Sequence, residues 1–202
     1  MTALSLTLLV LLSGVGTPPR NTRPPATETP AEPPAAQELS DEQVASQVQA
    51  YLGSIDTPVS AARWRALGPR AVAPLEEVVR DENALPSRRA KAVEALSVVG
   101  GSRAREIVLD VARSEQEPFG VRASALRGAG RMLGTSALVR ELRPVMEKAR
   151  QAPTRATAAE VLARHAPRSA CQAVRAQADR ESRETRPQYG RALDSCRTAA
   201  TQ

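Results

Sequence analysis

Two cysteines and one histidine are the side chains of this 202-residue chain best suited to bond-making or ligand chemistry: Cys171, Cys196 and His165. Cys171 is expected near the start of one helix and Cys196 near the end of the next. An antiparallel hairpin brings those two ends together, so a disulfide is geometrically sound. It would close a loop of about 25 residues and stabilise the fold by roughly 3 kcal/mol on the loop-entropy model. The unit it would staple has a thin core, in which Ala170, Ala173, Val174 and Ala178 face Ala192 and Leu193. Buried free thiols, a metal site and a thiol nucleophile beside His165 are the alternatives. One His with two Cys supplies too few ligands for a structural zinc. His165 stands at a helix end just before Pro167, where it most simply caps the last turn.

No other residue pattern points to catalysis. The paired acids Glu76-Glu77 and Asp81-Glu82 fall on a helix surface with no apolar setting to raise a carboxyl pKa, so they read as a solvated face. A phosphate-binding glycine loop, a zinc-protease His-Glu-x-x-His and a Gly-x-Ser-x-Gly elbow are all missing from the sequence. A non-catalytic protein with no cofactor, no metal and no small-molecule substrate is expected.

The elements that carry these residues are all expected to be helices. The chain holds one Trp, one Phe and two Tyr, so Ala, Val and Leu must supply the burial. That composition suits closely packed helices and is too poor in aromatic and β-branched residues for a sandwich or barrel. Three segments repeat the order Arg, Ala, polar, Ala, apolar: Arg89–Val93, Arg122–Leu126 and Arg155–Ala159, each about 33 residues after the last. A period of that size marks an array of helix pairs in which each unit buries its apolar face only against its neighbours. Caps and apolar stripes place helices near 41–53, 59–67, 70–81, 87–99, 102–113, 119–133, 135–150, 154–165, 168–183 and 187–198. Ser40 with Gln43 has the form of a capping box, Trp64 points inward, and Pro144 is expected to kink its helix.

Residues 1–16 differ from the rest. Leu4, Leu6, Leu8, Leu9, Val10, Leu11 and Leu12 form an apolar run, and Gly14 and Gly16 sit like the small residues of a cleavage site. The run is shorter than the roughly 20 residues that span a bilayer. A Sec-type bacterial signal peptide cleaved near Gly16 is expected, although no basic residue precedes the run. Residues 17–39 hold Pro18, Pro19, Pro24, Pro25, Pro30, Pro33 and Pro34 and read as an extended spacer, leaving 40–202 as the helical domain. The mature chain is therefore expected in the periplasm or outside the cell, with no transmembrane span, and an oxidising compartment suits the cysteine pair.

The net charge of +6 raises nucleic acid as a partner. Of the 28 basic residues only Lys91 and Lys148 are lysine, a bias of the kind GC-rich coding produces. Many arginines also stand at helical spacing from acids, as in Glu77 with Arg80 and Asp81, or Glu181 with Arg183 and Glu184. From Arg150 onward arginines outnumber the acids Glu160, Asp179, Glu181, Glu184 and Asp194, so the C-terminal third is the basic end.

Leu67-Gly68, Ala71-Val72-Ala73-Pro74-Leu75 and Pro118-Phe119-Gly120-Val121-Arg122-Ala123 resemble HEAT repeats, in particular the short bacterial kind also found in bilin-lyase-like proteins. The resemblance covers about residues 58–165. It implies an all-α, right-handed α-solenoid of about five antiparallel helix pairs, an armadillo-type superhelix, with a partner-binding role and no catalytic residues. It also implies a ladder pairing an acid late in a first helix with the arginine of the second. Asp81 with Arg88 or Arg89 fits this, Asp110 or Glu115 lies near Arg122, and Arg155 has no clear acid. Second helices tend to line the concave side of such arrays. Lys91, Glu94, Ser124, Arg127, Arg131, Glu160 and Arg164 are therefore the candidate partner-binding surface. The expected partner is a protein, with an acidic one favoured by charge. A solenoid that binds nucleic acid or another polyanion through its basic end is the main alternative, and export argues against nucleic acid. A lyase or enzyme chaperone of the bilin-lyase type rests on the family likeness alone.

Overall fold

The computed structural model describes residues 39–54 and 57–200. The expected signal peptide and all of the proline-rich spacer before Leu39 lie outside the described residues. Regular structure among the described residues is entirely helical: α1 (Asp41–Gly53), α2 (Ala61–Leu67), a 3-10 turn (Gly68–Ala71), α3 (Val72–Arg80), α4 (Pro86–Val99), α5 (Ser102–Arg113), α6 (Phe119–Met132), α7 (Thr135–Lys148), α8 (Ala152–His165), α9 (Pro167–Arg180), a second 3-10 turn (Arg186–Tyr189) and α10 (Gly190–Ala200). No helix of this set is long and apolar enough to cross a membrane.

Local chemistry explains most boundaries. At α1 the capping box forms: the Gln43 amide donates to Ser40 Oγ at 3.2 Å and the Ser40 amide donates to Gln43 Oε1 at 2.7 Å. Pro86, Pro153 and Pro167 occupy first-turn positions of α4, α8 and α9, where a missing amide hydrogen costs nothing. Between α4 and α5 the chain reverses through Gly100 and Gly101 at φ of +78° and +91°, a region closed to residues with a Cβ. The two segments expected at 70–81 and 187–198 each open with a 3-10 turn and become α-helical only from Val72 and Gly190. Pro144 lies inside α7.

Consecutive helices pair as α3 with α4, α5 with α6, α7 with α8 and α9 with α10, while α1 and α2 both pack on α4. The pairs are joined in series: α4 packs on α6, α6 on α8 and α8 on α10, and more lightly α3 meets α5, α5 meets α7 and α7 meets α9. Leu75, Leu96, Ile107, Leu126, Leu138, Leu142, Met146 and Leu162 fill the space between the layers. Small residues bring the α4–α6–α8 layer together. A Cβ at Gly130 would sit 2.8 Å from Val161 Cγ1 and 2.9 Å from the His165 ring, and one at Gly128 would sit 3.0 Å from Ser97 Cβ. Such close backbone approach lets a core with few rings pack densely.

The periodic arginines turn out to be structural. Arg89 Nε donates to the Val79 carbonyl at 2.8 Å and Arg122 Nε to the Ala112 carbonyl at 3.0 Å. Arg155 Nη1 donates to the Ala149 carbonyl at 2.8 Å, and Arg186 Nε reaches the Ala178 carbonyl at 3.1 Å. Each acceptor stands at the end of the preceding helix, where carbonyls lack an intrahelical partner and a cation meets the negative end of the dipole. Arg186 is therefore a fourth member of the series that the five-residue pattern does not reveal.

The acids that answer these arginines match the expected ladder at Arg122, where Glu115 is one of the two acids expected, and depart from it at Arg89 and Arg155. Arg89 pairs with Glu117 at 2.8 Å, not with Asp81, and Arg122 pairs with Glu115 at 2.6 Å. Arg155, for which the sequence offers no clear acid, holds Glu181 in a bidentate pair with both contacts at 2.7 Å. Glu117 and Glu181 reach back from the turn of the next hairpin. The sequence-based ladder considered only acids within one hairpin, which is why it missed them.

Candidate functional site

Cys171 in α9 and Cys196 in α10 are joined, with their Cα atoms 5.5 Å apart, as the hairpin geometry requires. The surrounding core is richer than the expected alanines. Tyr189 is fully buried, and its hydroxyl donates to Glu181 Oε1 at 2.9 Å. Glu181 also accepts from Arg155, from Gln177 Nε2 at 3.1 Å and from Thr185 Oγ1 at 2.9 Å. It is thus a buried hub and not a member of a solvated Glu181–Arg183–Glu184 face. The Arg155 guanidinium, with help from Gln177, Tyr189 and Thr185, holds its carboxyl down at about 2 in spite of burial. Burial and the adjacent Glu181 charge push the Tyr189 phenol up. These contacts tie α8 to the turn of the terminal hairpin.

The exposed side of α4 and α6 is arranged differently. A groove of about 500 Å³ opens between α2, α4, the end of α1 and the residues Ser54, Thr57, Pro58 and Val59. Tyr51 and Trp64 form its aromatic wall, edge to face with ring centres 5.1 Å apart. Positions 91, 94, 95 and 98 of α4 line the opposite side, one helical stripe that carries Lys91, Glu94, Ala95 and Val98. Arg131 reaches in from α6.

Hydrogen bonds fix these side chains. Lys91 Nζ donates to the Ser54 carbonyl at 2.8 Å, tying α4 to the end of α1. Ser124 Oγ donates to Glu94 Oε1 at 3.2 Å and accepts from Arg127 Nη2 at 3.4 Å. Arg131 Nη2 donates to Ser97 Oγ at 2.6 Å, and Ser97 Oγ donates in turn to the Glu94 carbonyl at 2.6 Å. Ser124 is only 3% exposed, so it is a bridge between α4 and α6 and offers nothing directly to a partner. Ser97, which the sequence pattern did not single out, does the same work at 8% exposure.

Lys91, Arg127 and Arg131 are exposed, and none forms an ion pair with a carboxylate among the described residues. Of the arginines on α3, α5 and α7, Arg80 and Arg103 both pair with Glu76, Arg113 with Glu141, and Arg143 with Glu147, while exposed Arg105 of α5 likewise forms no ion pair among the described residues. The Glu76 and Glu141 carboxyls are held below the usual range, chiefly by Arg103 and Arg113 respectively. Glu76 pairs with Arg80, so the Glu77–Arg80 contact suggested by spacing is not the one formed. His165, beside Gly130, is pushed below its ordinary pKa by burial first and then by Arg164 and Arg131, so it adds no charge near neutral pH.

The remaining two candidates lie apart from the groove. Glu160 on α8 pairs with Arg164 at 2.9 Å and with Arg191 of α10 at 3.0 Å. A second recess, about 290 Å³, sits around Arg89 and Glu117. Its cation and carboxylate already hold each other, and Glu117 Oε2 is buried with no hydrogen-bond partner among the described residues. No group of three His, Cys, Asp or Glu side chains among the described residues is placed to hold a metal ion.

The groove sets an apolar lining of Tyr51, Trp64, Ala95 and Val98 beside Lys91, Arg131 and Glu94. Nothing in the spacing of Tyr51 and Val59 shows that α2 packs on α4 and that both residues line this groove. Comparison with family models, with curated proteins and with solved structures finds no match for this chain.

Proposed function

We propose that this chain is an exported, non-catalytic scaffold whose helix pairs form a right-handed, HEAT-like solenoid, and that it binds a protein partner along the exposed side of α4, α6 and α8. The observation that carries the reading is an apolar groove whose lining includes Lys91 and Arg131, two exposed cations that form no ion pair with a carboxylate among the described residues, with Arg127 of α6 joined to the groove's Glu94 through Ser124. Charges left unneutralised next to exposed apolar surface are the usual makings of a docking site. The series of stacked pairs, α4 on α6 on α8 on α10, supports the repeat architecture.

In the basic C-terminal third Arg155 is engaged by Glu181, Arg164 and Arg191 by Glu160, and Arg197 by Asp194, while Arg150, Arg168, Arg175, Arg180, Arg183 and Arg186 form no ion pair with a carboxylate among the described residues. With almost no rings to stack on bases, phosphate contacts alone would have to hold a nucleic acid.

Site-specific photo-cross-linking in cells that make the protein tests the scaffold. A photoreactive residue at Pro58 or Arg164 is expected to capture a protein, and one at Glu106 or Arg143 on the α5–α7 side is not. Cross-links to nucleic acid from the first two positions, or equal capture from both sides, would overturn the reading.

The leader, the spacer and the cysteine pair support export. Thiol alkylation in intact cells should find Cys171 and Cys196 fully oxidised and joined within one chain. Reduction of the purified protein should then cost roughly 3 kcal/mol of stability in denaturant titration. Two free thiols in cells would remove the export half of the proposal.

A further inference from the structure

We propose that the recess between the ends of α3 and α5, the start of α4 and the α5–α6 turn binds an organic cation, a guanidinium or ammonium group carried on a short aliphatic chain. The recess shares no lining residue with the groove of the α4–α6 face, so this site stands or falls independently of the scaffold reading.

Its volume of about 290 Å³ lies near the lower limit of small-ligand sites and suits one long, thin group. Every lining residue falls between Val79 and Glu117, so the whole wall is described. Part of that wall is apolar. Val79 of α3 and Ile107 and Val111 of α5 are buried members of the core that joins the two hairpins. An aliphatic chain laid against them would leave water at no cost in hydrogen bonds.

The polar wall selects a donor at the end of that chain. Glu117 accepts from Arg89 Nη2 through Oε1 at 2.8 Å, while its Oε2 is buried with no hydrogen-bond partner among the described residues. A carboxylate oxygen can only accept, and a buried one left unanswered is costly. Arg89 already divides itself between that carboxylate and the Val79 carbonyl.

The charge around the recess favours a cationic donor over a neutral one. Glu82, Asp110 and Glu117 line it against Arg80 and Arg89. Both guanidiniums are committed, Arg80 to Glu76 at 2.7 Å and Arg89 to Glu117 at 2.8 Å, and Glu76 is not part of the lining. Of the other acids, exposed Glu82 forms no ion pair among the described residues, and Asp110 has only Arg113 at 3.9 Å with both side chains about half exposed. The last turns of α3 and α5 also meet here and bring the negative ends of two helix dipoles. An anion would face three carboxylates.

Methyl NMR of the full chain tests the site. Ile107 is one of only two isoleucines, so labelling the isoleucine δ1 methyls gives a reporter inside the recess, assigned with Ile107→Val. At constant ionic strength, n-butylguanidinium is expected to shift the Ile107 signal saturably, with a dissociation constant of about 1–10 mM. Its neutral isostere n-butylurea should not. Glu117→Gln, which replaces the unanswered acceptor with an amide, should weaken binding at least about tenfold, and E82Q/D110N at least about threefold with a larger effect at low salt. Glu82 and Asp110 are exposed, so the double variant should keep the wild-type melting curve and carries the test if Glu117→Gln does not fold. The capped tripeptide acetyl-Gly-Arg-Gly-amide separates the sources of the cation. Binding at least as tight as that of n-butylguanidinium supports a basic side chain of a polypeptide, and weaker binding supports a free amine or guanidine. No saturable shift with either cation, an equal shift with n-butylurea, or undiminished binding by the folded variants would overturn the assignment.

Discussion

Arg122→Ala is expected to destabilise the protein by about 3 kcal/mol and to be the most damaging substitution of a charged residue in the chain. Arg122 is 1% exposed, the largest fully buried side chain among the described residues. Its guanidinium donates to the Ala112 carbonyl at 3.0 Å and to Glu115 at 2.6 Å, and it approaches the Arg113 carbonyl at 3.4 Å. Truncation leaves a cavity, strands carbonyls at the end of α5 and removes the counter-charge of Glu115. The Glu115 side chain is 30% exposed, so water recovers part of its lost solvation, and this places the effect at the low end of what a broken buried pair costs. Glu115 Oε2 also accepts from the Arg150 amide at 3.3 Å, which extends the damage to the next hairpin.

Arg122→Lys should recover little, because an ammonium cannot imitate the fork that reaches a carbonyl and a carboxylate together. Urea titration of the two variants and the wild type measures all of this. A shift below about 1 kcal/mol for Arg122→Ala would mean that the arginine series merely decorates the array, and the account of the hairpin turns given above would fail.

Glu181→Gln is expected to remove most of the acid sensitivity of the terminal hairpin. The Glu181 carboxyl is held at about 2, below its ordinary 4.5, so its stabilising effect is complete above about pH 4.5 and is lost as the pH falls toward 2. A depression of that size corresponds to roughly 3 kcal/mol. The wild type should therefore lose stability steeply between those limits. The glutamine variant should already be weaker at neutral pH, since it gives up the bidentate Arg155 pair and places an amide against the Tyr189 hydroxyl. Its further loss on acidification should be much smaller. A residual slope remains from Glu76, Glu115 and Glu141, whose carboxyls their arginine partners also hold low. Denaturant titrations at pH 3 and pH 7 give the four numbers needed. Parallel acid losses in the wild type and the variant would show that Glu181 is not the hub its contacts indicate.

Both results bear on where the interaction face can lie. The turn edge of the array carries buried arginines and glutamates that satisfy one another, so its charges are committed to joining hairpins. On the exposed side of α4 and α6, Lys91, Arg127 and Arg131 donate to neutral oxygens and form no ion pair with a carboxylate among the described residues. Charge reversal at Arg127 and Arg131 is thus expected to alter binding with little effect on stability, the opposite of a change at Arg122, although all three belong to α6.

The sequence alone determined the helical class, nearly every helix, the capping box at Ser40, the inward placement of Trp64 and the pairing of Cys171 with Cys196. These are outcomes of short-range chemistry: apolar periodicity, caps, prolines in first turns and the geometry of a single hairpin act over a few residues or across one turn. Tertiary structure alone decided the rest. Glu117 and Glu181 meet arginines of a neighbouring hairpin, Ser124 sinks between α4 and α6, Tyr189 fills the terminal core, and Thr57, Pro58 and Val59 line one wall of the groove. Each of those contacts depends on how far one hairpin is offset from the next when they stack. That offset is set by the summed packing of small residues such as Gly128 and Gly130 along the helix layer, and no local spacing in the chain encodes it.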